Sequence, residues 1–319
     1  VEGEPVDWKS WSEGDWRRLQ ELREGFLQGV RENYWQTRRD LALYDAVFGE
    51  RIAWKWAAVL SACAQAGIVC GGDTVWDWGC GSGVGGRLVA EFLRAEKVVV
   101  TDRSPLAVEH AAAGHREWGR AILPPPGPGG CVLVLSHLVG ELDTSGWAEL
   151  SSAFSAAGMI FWVEPGDRKH GQLLASARDD LLTQGWEVLL PCPHQKACPA
   201  SAARTAHWCH FFARPPSTAF QSAFWQMASK RLGIDRRSLP LSFLVLRKSG
   251  AAAVRSPECR ILGRPTLRKG YAEVLLCRSN GLLEEARVTK KTSPSEFRSL
   301  RKEVGFPGLW PTVGDEPGA

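Results

Sequence analysis

The sequence predicts an α/β protein: a parallel sheet with helices on both faces, a helical region before it and a small antiparallel β extension after it. Three observations carry this. Apolar stripes at helical spacing fill residues 7–66, short apolar runs then alternate with helical stretches, and a Gly-rich turn follows the first of those runs. The chain has 319 residues, 44% of them hydrophobic and 23% charged, which is enough to bury a full core and excludes a disordered chain.

In the first region Trp16, Leu19, Leu22, Phe26 and Val30 recur at threes and fours, and Tyr44, Phe48, Ile52, Trp56 and Leu60 at strict fours. Each set makes one apolar helix stripe. The stripes face a core; Arg31, Arg38 and Arg39 beside Tyr34 and Trp35 are the alternative, a basic and aromatic surface for RNA. After Gly71-Gly72 the runs are Thr74–Trp78, 98–101, 132–135, 159–163 and Trp186–Leu190, with helices expected over about 85–95 and 105–119. A helix over about 218–232, stopped by Gly233, precedes a last strand at 241–247. Beyond it, runs at 272–276 and 286–288 flank Ser279-Asn280-Gly281, the signature of an antiparallel pair with an Asn-Gly turn. The implied division is a helical region at 1–66, a sheet domain at 67–248 with a cysteine-rich insertion at 191–216, a basic β extension at 249–310 and a disordered tail at 311–319.

The charge is uneven. Residues 247–302 hold fourteen Lys/Arg and five Asp/Glu, so the remainder of the chain is acidic although the total is +4. Such a segment suits a polyanion or is simply solvated. No run of eighteen apolar residues occurs and the acidic start lacks a signal-peptide pattern, so the chain reads as soluble, cytoplasmic and without a membrane partner. In a reducing compartment nine cysteines suggest metal rather than disulfides.

The first run ends in Asp77-Trp78-Gly79-Cys80-Gly81-Ser82-Gly83. Glycines let the backbone turn tightly against a ligand, and the following helix offers free N–H groups. Asp102 ends the second run, where a carboxylate accepts both hydroxyls of a ribose. A dinucleotide site also uses such a turn, and a sheet edge with an empty site is the other alternative. The acid before the glycines, in the spacing DxGxGxG, resembles the S-adenosylmethionine (SAM) turn of class I methyltransferases. The resemblance implies that Asp77, Gly79, Gly81 and Gly83 bind the methionine end of SAM and Asp102 its ribose. The family's acid near the adenine has no counterpart in residues 123–130, and the Asn-Pro-Pro-Tyr element of amine methyltransferases is absent from residues 136–142. No catalytic residue is therefore assigned; His137 and Glu141 are candidate bases, or else a lining residue and a helix cap.

The insertion reads Pro191-Cys192-Pro193-His194-Gln195-Lys196-Ala197-Cys198-Pro199, then Trp208-Cys209-His210-Phe211. Three thiolates on one centre select zinc or an iron–sulfur cluster. Zinc takes its fourth ligand from His194, His207 or His210, a cluster from another thiolate, and the spacing matches neither the usual zinc pairing nor the ferredoxin pattern. Pro191-Cys192 also resembles the nucleophile of cytosine-5 RNA methyltransferases, which stands after the fourth or fifth strand instead. Three buried, unliganded thiols are the remaining reading.

Taken together these strings resemble the methyltransferase-like proteins of mitochondrial small-ribosomal-subunit assembly and their bacterial homologues. The resemblance runs through Tyr44-Asp45-Ala46-Val47-Phe48-Gly49-Glu50-Arg51-Ile52, the Gly-rich turn, Gly140-Glu141-Leu142, Glu164-Pro165-Gly166, the two cysteine strings, Arg260-Ile261-Leu262-Gly263-Arg264-Pro265 and Leu276-Cys277. It implies a class I methyltransferase fold that binds SAM and a [4Fe–4S] cluster on Cys192, Cys198, Cys209 and Cys277, with Cys259 competing for the fourth place. It also implies a partner, the small ribosomal subunit and its rRNA, and a monomer off the ribosome. Two functions follow from it, an rRNA methyltransferase or a non-catalytic assembly factor. A small-molecule methyltransferase leaves the basic extension without a purpose.

Overall fold

The structure is a computed structural model of the whole chain, and it describes residues 7–28, 34–68, 74–127, 130–201, 205, 207–248, 258–302 and 306–307. Arg31, Gly71-Gly72 and the tail at 311–319 lie outside the described residues.

In chain order the elements are α1 (Glu13–Gln28), α2 (Arg38–Tyr44), a π-helical turn (Asp45–Gly49), α3 (Glu50–Gln65), β1 (Thr74–Trp78), α4 (Val84–Leu93), β2 (Lys97–Thr101), α5 (Pro105–Glu117), β3 (Ala121–Ile122), β4 (Cys131–Ser136) and α6 (Thr144–Ala156). They continue with β5 (Ala157–Pro165), α7 (Arg168–Thr183), β6 (Trp186–Leu190), β7 (Phe211–Ala213), α8 (Thr218–Gln221), α9 (Ala223–Leu232), β8 (Leu239–Lys248), β9 (Cys259–Arg268), β10 (Tyr271–Arg278), β11 (Leu283–Thr289) and α10 (Pro294–Arg301). Among the described residues no helix is long and apolar enough to cross a membrane.

The chain divides into two compact units. The first takes Val1–Ala57, Cys70–Gly158 and Arg214–Leu239. Its strands lie in the order β3-β2-β1-β4, and every pairing described among them is parallel. The strands are buried apolar runs, as a sheet covered on both faces requires. α2 starts on a full capping box between Thr37 and Asp40, and α5 on Ser104 with Pro105 in its first turn.

The second unit takes Ala58–Val69, Met159–Ala213 and Pro240–Ala319. Here β8 runs antiparallel between β5 and β6, and β9, β10 and β11 form a separate antiparallel sheet. The orders 3-2-1-4 and 5-8-6 with one reversed strand are those of the class I SAM-dependent methyltransferase fold. The small sheet is the expected β extension, with β9 an added strand. Its cluster of Ile261, Ala272, Val274 and Leu276 packs with Phe297 and Leu300 of α10.

Two expectations change in detail. The helix expected over 218–232 is broken at Ser222, whose backbone is extended and whose hydroxyl caps α9 by accepting from the Trp225 N–H at 3.3 Å. The turn between β10 and β11 is longer than a two-residue Asn-Gly turn: the Arg278 N–H donates to the Leu282 carbonyl at 3.0 Å, and only Gly281 of the intervening residues has positive φ. That is a three-residue loop closed by a left-handed glycine.

Candidate functional site

The first unit holds a cavity of about 520 Å3 beyond the carboxyl ends of β1, β2 and β4. Gly79, Cys80, Gly81, Ser82, Asp102, Ser136, His137 and Glu141 line it, with Phe26, Tyr34, Trp35 and Tyr44 of the N-terminal region. The volume is of the size that takes a cofactor. Asp102 is fixed by backbone donors: the Gly81 N–H reaches Oδ2 at 2.9 Å and the Ser104 N–H reaches Oδ1 at 2.8 Å. Burial raises its pKa, and those two N–H groups oppose the rise. Gly83 takes φ +78°, and a Cβ there would stand 2.7 Å from the Ala111 Cβ, so a glycine lets α4 begin against α5.

Asp77 and Gly83 are not in the lining; they shape the cavity from behind. Asp77 is 1% exposed, and burial pushes its pKa up to about 7 against the pull of Arg87. A Cβ at Gly86 would lie 2.3 Å from Asp77 Oδ2, which shows how closely α4 sits on β1.

His137 has φ +57°, a left-handed conformation that a non-glycine residue adopts at a cost. Its Nε2 is 3.1 Å from Lys55 Nζ, and its Nδ1 is 3.4 Å from Ser136 Oγ, which accepts from the Trp56 indole at 3.0 Å. An ammonium group only donates, so Nε2 accepts and the ring proton sits on Nδ1. Glu141 accepts from the Tyr34 hydroxyl at 3.4 Å. Burial, then the Glu141 charge, raise the Tyr34 pKa, which keeps the phenol protonated.

The second unit gathers the cysteines. Gln195 anchors their loop to β6, accepting from the Val188 N–H at 2.9 Å and donating to its carbonyl at 2.7 Å. Cys198 donates its N–H to both Asp179 oxygens, at 3.0 and 2.9 Å. The Cys209 carbonyl accepts from Ser242 at 2.7 Å, and Trp208 donates to the Gly166 carbonyl at 3.0 Å. Gly171 on α7 leaves room for that segment, since a Cβ there would come within 2.9 Å of Trp208. Cys277 enters from β10, paired with Arg260 on β9.

Burial raises the Cys209 pKa, and charge on Cys192, Cys198 and Cys277 adds to the rise. The Cys198 thiol is pushed up to about 11 by burial and then by Cys192. The charges of the four expected ligands act on one another, while Cys259 lies in the apolar cluster with Ile261 and Leu276. Among the described residues, no set of three or more His, Cys, Asp or Glu side chains is arranged to hold a metal ion. The histidines weighed for zinc are otherwise engaged. His194 accepts from the Lys196 N–H on Nδ1 at 3.1 Å, leaving the proton on Nε2 to face Cys277 Sγ at 3.5 Å. His210 stacks on Trp208 with ring centroids 4.7 Å apart, and His207 Nε2 is 3.6 Å from Glu285.

The family model described as mitochondrial small ribosomal subunit Rsm22 matches residues 95–306, more than half of the chain. The chain belongs to the Rsm22 family. The matched stretch takes in Asp102 and all four cysteines and begins after the Gly-rich turn. No curated protein matches the sequence. Among solved structures, the plantazolicin methyltransferase BamL, bound to a triazolic analogue and SAH, is 11% identical over 73% of this chain and 99% of its own, with a TM-score of 0.42. The 16S rRNA methylase RmtB is 13% identical over 73% and 75%, with a TM-score of 0.36. The methyltransferase domain of bacterial CtHen1-C is 11% identical over 63% and 100%, with a TM-score of 0.38.

Sequence reading missed two residues of this Rsm22-family protein. Arg178 and Arg260 are 1% and 4% exposed, and both act on the cysteine thiols. A signal for Arg178 existed: it falls on the stripe of Gly171, Leu174 and Leu181, where an arginine is out of place on an apolar helix face.

Proposed function

We propose that this Rsm22-family protein binds SAM in the first unit and a [4Fe–4S] cluster in the second, and acts on the rRNA of the small ribosomal subunit as a methyltransferase. The observation that carries the cofactor reading is the held carboxylate of Asp102, locked by the Gly81 and Ser104 N–H groups at the rim of the cavity. Two oxygens so fixed suit a pair of ribose hydroxyls. The glycine turn gives the rest of the cofactor an uncluttered backbone. The same reading keeps the protein cytoplasmic and monomeric off the ribosome, and gives the cationic 247–302 segment the phosphate backbone as its partner.

The donor set is four cysteine thiols whose charges act on one another, beside a buried arginine with two unpartnered donors among the described residues, and soft thiolates of this kind take a cluster or zinc. The resemblance of the two cysteine strings favours the cluster. Cys192, Cys198, Cys209 and Cys277 would hold the group, with Arg178 Nε 3.1 Å from Cys192 Sγ and His194 Nε2 facing Cys277. When bound, the cluster supplies a buried anionic centre that pins the cysteine loop to β10.

Methyl transfer from a sulfonium needs mainly an acceptor lone pair aligned on the methyl carbon, the thioether leaving as the new bond forms. Of the two candidate bases, Glu141 is the candidate proton acceptor, because Lys55 already donates to His137 Nε2. That contact also favours a second reading, a non-catalytic assembly factor that uses the cavity for binding alone.

The deciding experiment supplies labelled SAM and immature small subunits to anaerobically purified protein, with Asp102→Ala as control. Label in rRNA, falling about tenfold or more in the variant, supports transfer. SAM-strengthened binding to the particles with no label supports the assembly factor, and unchanged SAM affinity in the variant overturns the cofactor assignment.

A further inference from the structure

The cysteine centre contains two buried cations, of which, among the described residues, one is paired and the other is not. Arg178 on α7 is fully engaged: Nη1 donates to Asp179 Oδ1 at 2.6 Å and to the Lys196 carbonyl at 2.9 Å, Nη2 to the His194 carbonyl at 2.8 Å, and Nε to Cys192 Sγ at 3.1 Å. Arg260 on β9 is not. It stands directly across from Cys277, is 4% exposed, and among the described residues its Nε and Nη1 have no hydrogen-bond partner. The groups acting on it, after burial itself, are Cys192, Cys209 and Cys277.

A buried guanidinium facing neutral thiols is an uncompensated charge, which costs several kcal/mol. Four thiolates around a metal centre reverse the sign of that account. A [4Fe–4S] core with four thiolates carries two negative charges when oxidised and a third when reduced, and its potential follows net charge and the hydrogen bonds to its sulfurs. We propose that Arg178 and Arg260 are the counter-cations of the thiolate centre: Arg178 positions Cys192 and the loop carbonyls, and Arg260 sets the charge the centre can carry. This rests on the cluster reading above. Both are positioning residues, acting through the ligands rather than on substrate. A cation fixed beside the centre favours the state with the extra electron, so Arg260 holds the reduction potential up.

The test uses the full chain, purified anaerobically, as wild type, Arg260→Gln and Arg260→Lys. Iron and acid-labile sulfide are counted, and the centre is titrated with dithionite under EPR. The potential of the Gln variant is expected to fall, so that the oxidised-to-reduced ratio at a fixed potential rises about tenfold, or about 59 mV for one electron, with Lys recovering most of the shift. An unchanged potential in a fully loaded Gln variant overturns the inference. Should Gln fail to hold the centre, Lys decides: iron retained at a near wild-type potential supports a role in charge, and iron lost there too overturns it. Zinc without sulfide in the wild type would end the cluster reading alone. Chelator competition would then decide the arginine inference, about tenfold weaker zinc retention in Gln and rescue in Lys supporting it, equal retention overturning it. A wild type holding no metal overturns both.

Discussion

The cofactor cavity and the cysteine centre solve opposite problems. In the cavity the key carboxylate, Asp102, is already held by the Gly81 and Ser104 N–H groups. Backbone geometry makes that site. At the cysteine centre, side chains make the site, and Arg260 keeps two buried donors without partners among the described residues. A preformed site loses little when its ligand is withheld; a site completed by its ligand loses the energy that holds it together. The two regions are therefore expected to respond differently to removal of what they bind.

The largest effect tests that contrast at the centre. Cys192→Ser, Cys198→Ser, Cys209→Ser and Cys277→Ser are each expected to strip most of the metal and to lower the melting temperature by about 10 °C or more, because metal binding is coupled to folding. Elemental analysis and thermal melts of the four variants check it. Cys259→Ser is the control. Cys259 is 2% exposed in an apolar cluster, so its loss costs packing but leaves the metal count unchanged. Metal lost in Cys259→Ser and kept in Cys277→Ser would exchange the two assignments.

The contrast also explains what was legible in the sequence. The sheet was legible because its strands are short, mostly apolar runs, and Thr74–Trp78 and Trp186–Leu190 have the expected bounds. The glycine turn was legible because backbone chemistry selects one residue type. β3 was not: two residues ahead of a proline run carry no periodicity. Neither was Ser222, whose cap divides a segment that reads as continuous helix. At the centre the cysteines announced themselves, but Arg260 did not. An arginine in a basic segment reads as surface, and only the pairing of β9 with β10 turns it toward Cys277. A strand's alternation fixes which residues share a face, not which face is inside.

Asp77 is where the cavity departs from its own rule. It is buried, and its pKa stands at about 7 because burial outweighs the help of Arg87 and the Gly86 N–H. The unfolded carboxyl titrates near ~3.9. With the folded value above the unfolded one, the native state binds the proton more tightly. Stability is then greatest below about pH 4 and falls as the pH rises to about 7, by up to ~4 kcal/mol. Asp77→Asn removes the dependence. Its stability advantage over wild type in denaturant titrations is expected to grow from pH 5 to pH 7 and to level off by pH 8. An advantage that stays flat across that range means Asp77 ionises normally in the fold.

Gly86 sharpens the same point by sterics alone. In an ordinary helix interior, alanine for glycine gains ~0.5–1 kcal/mol. At Gly86 the new methyl would stand 2.3 Å from Asp77 Oδ2, 2.6 Å from Cγ and 2.7 Å from Cβ, all atoms of a buried side chain with nowhere to retreat. Overpacking of this kind costs ~1–3 kcal/mol, so Gly86→Ala is expected to destabilise despite the better helix former. The cycle with Asp77→Gly isolates the contact. With all three atoms gone, Gly86→Ala becomes neutral or stabilising, and the two changes are strongly non-additive. Additive effects would place the cost of Gly86→Ala elsewhere on α4 and remove the reason for regarding Asp77 and Gly86 as one packed unit behind the glycine turn. Non-additivity would mean that Asp77 of β1 and Gly86 of α4 form one packed unit behind the glycine turn.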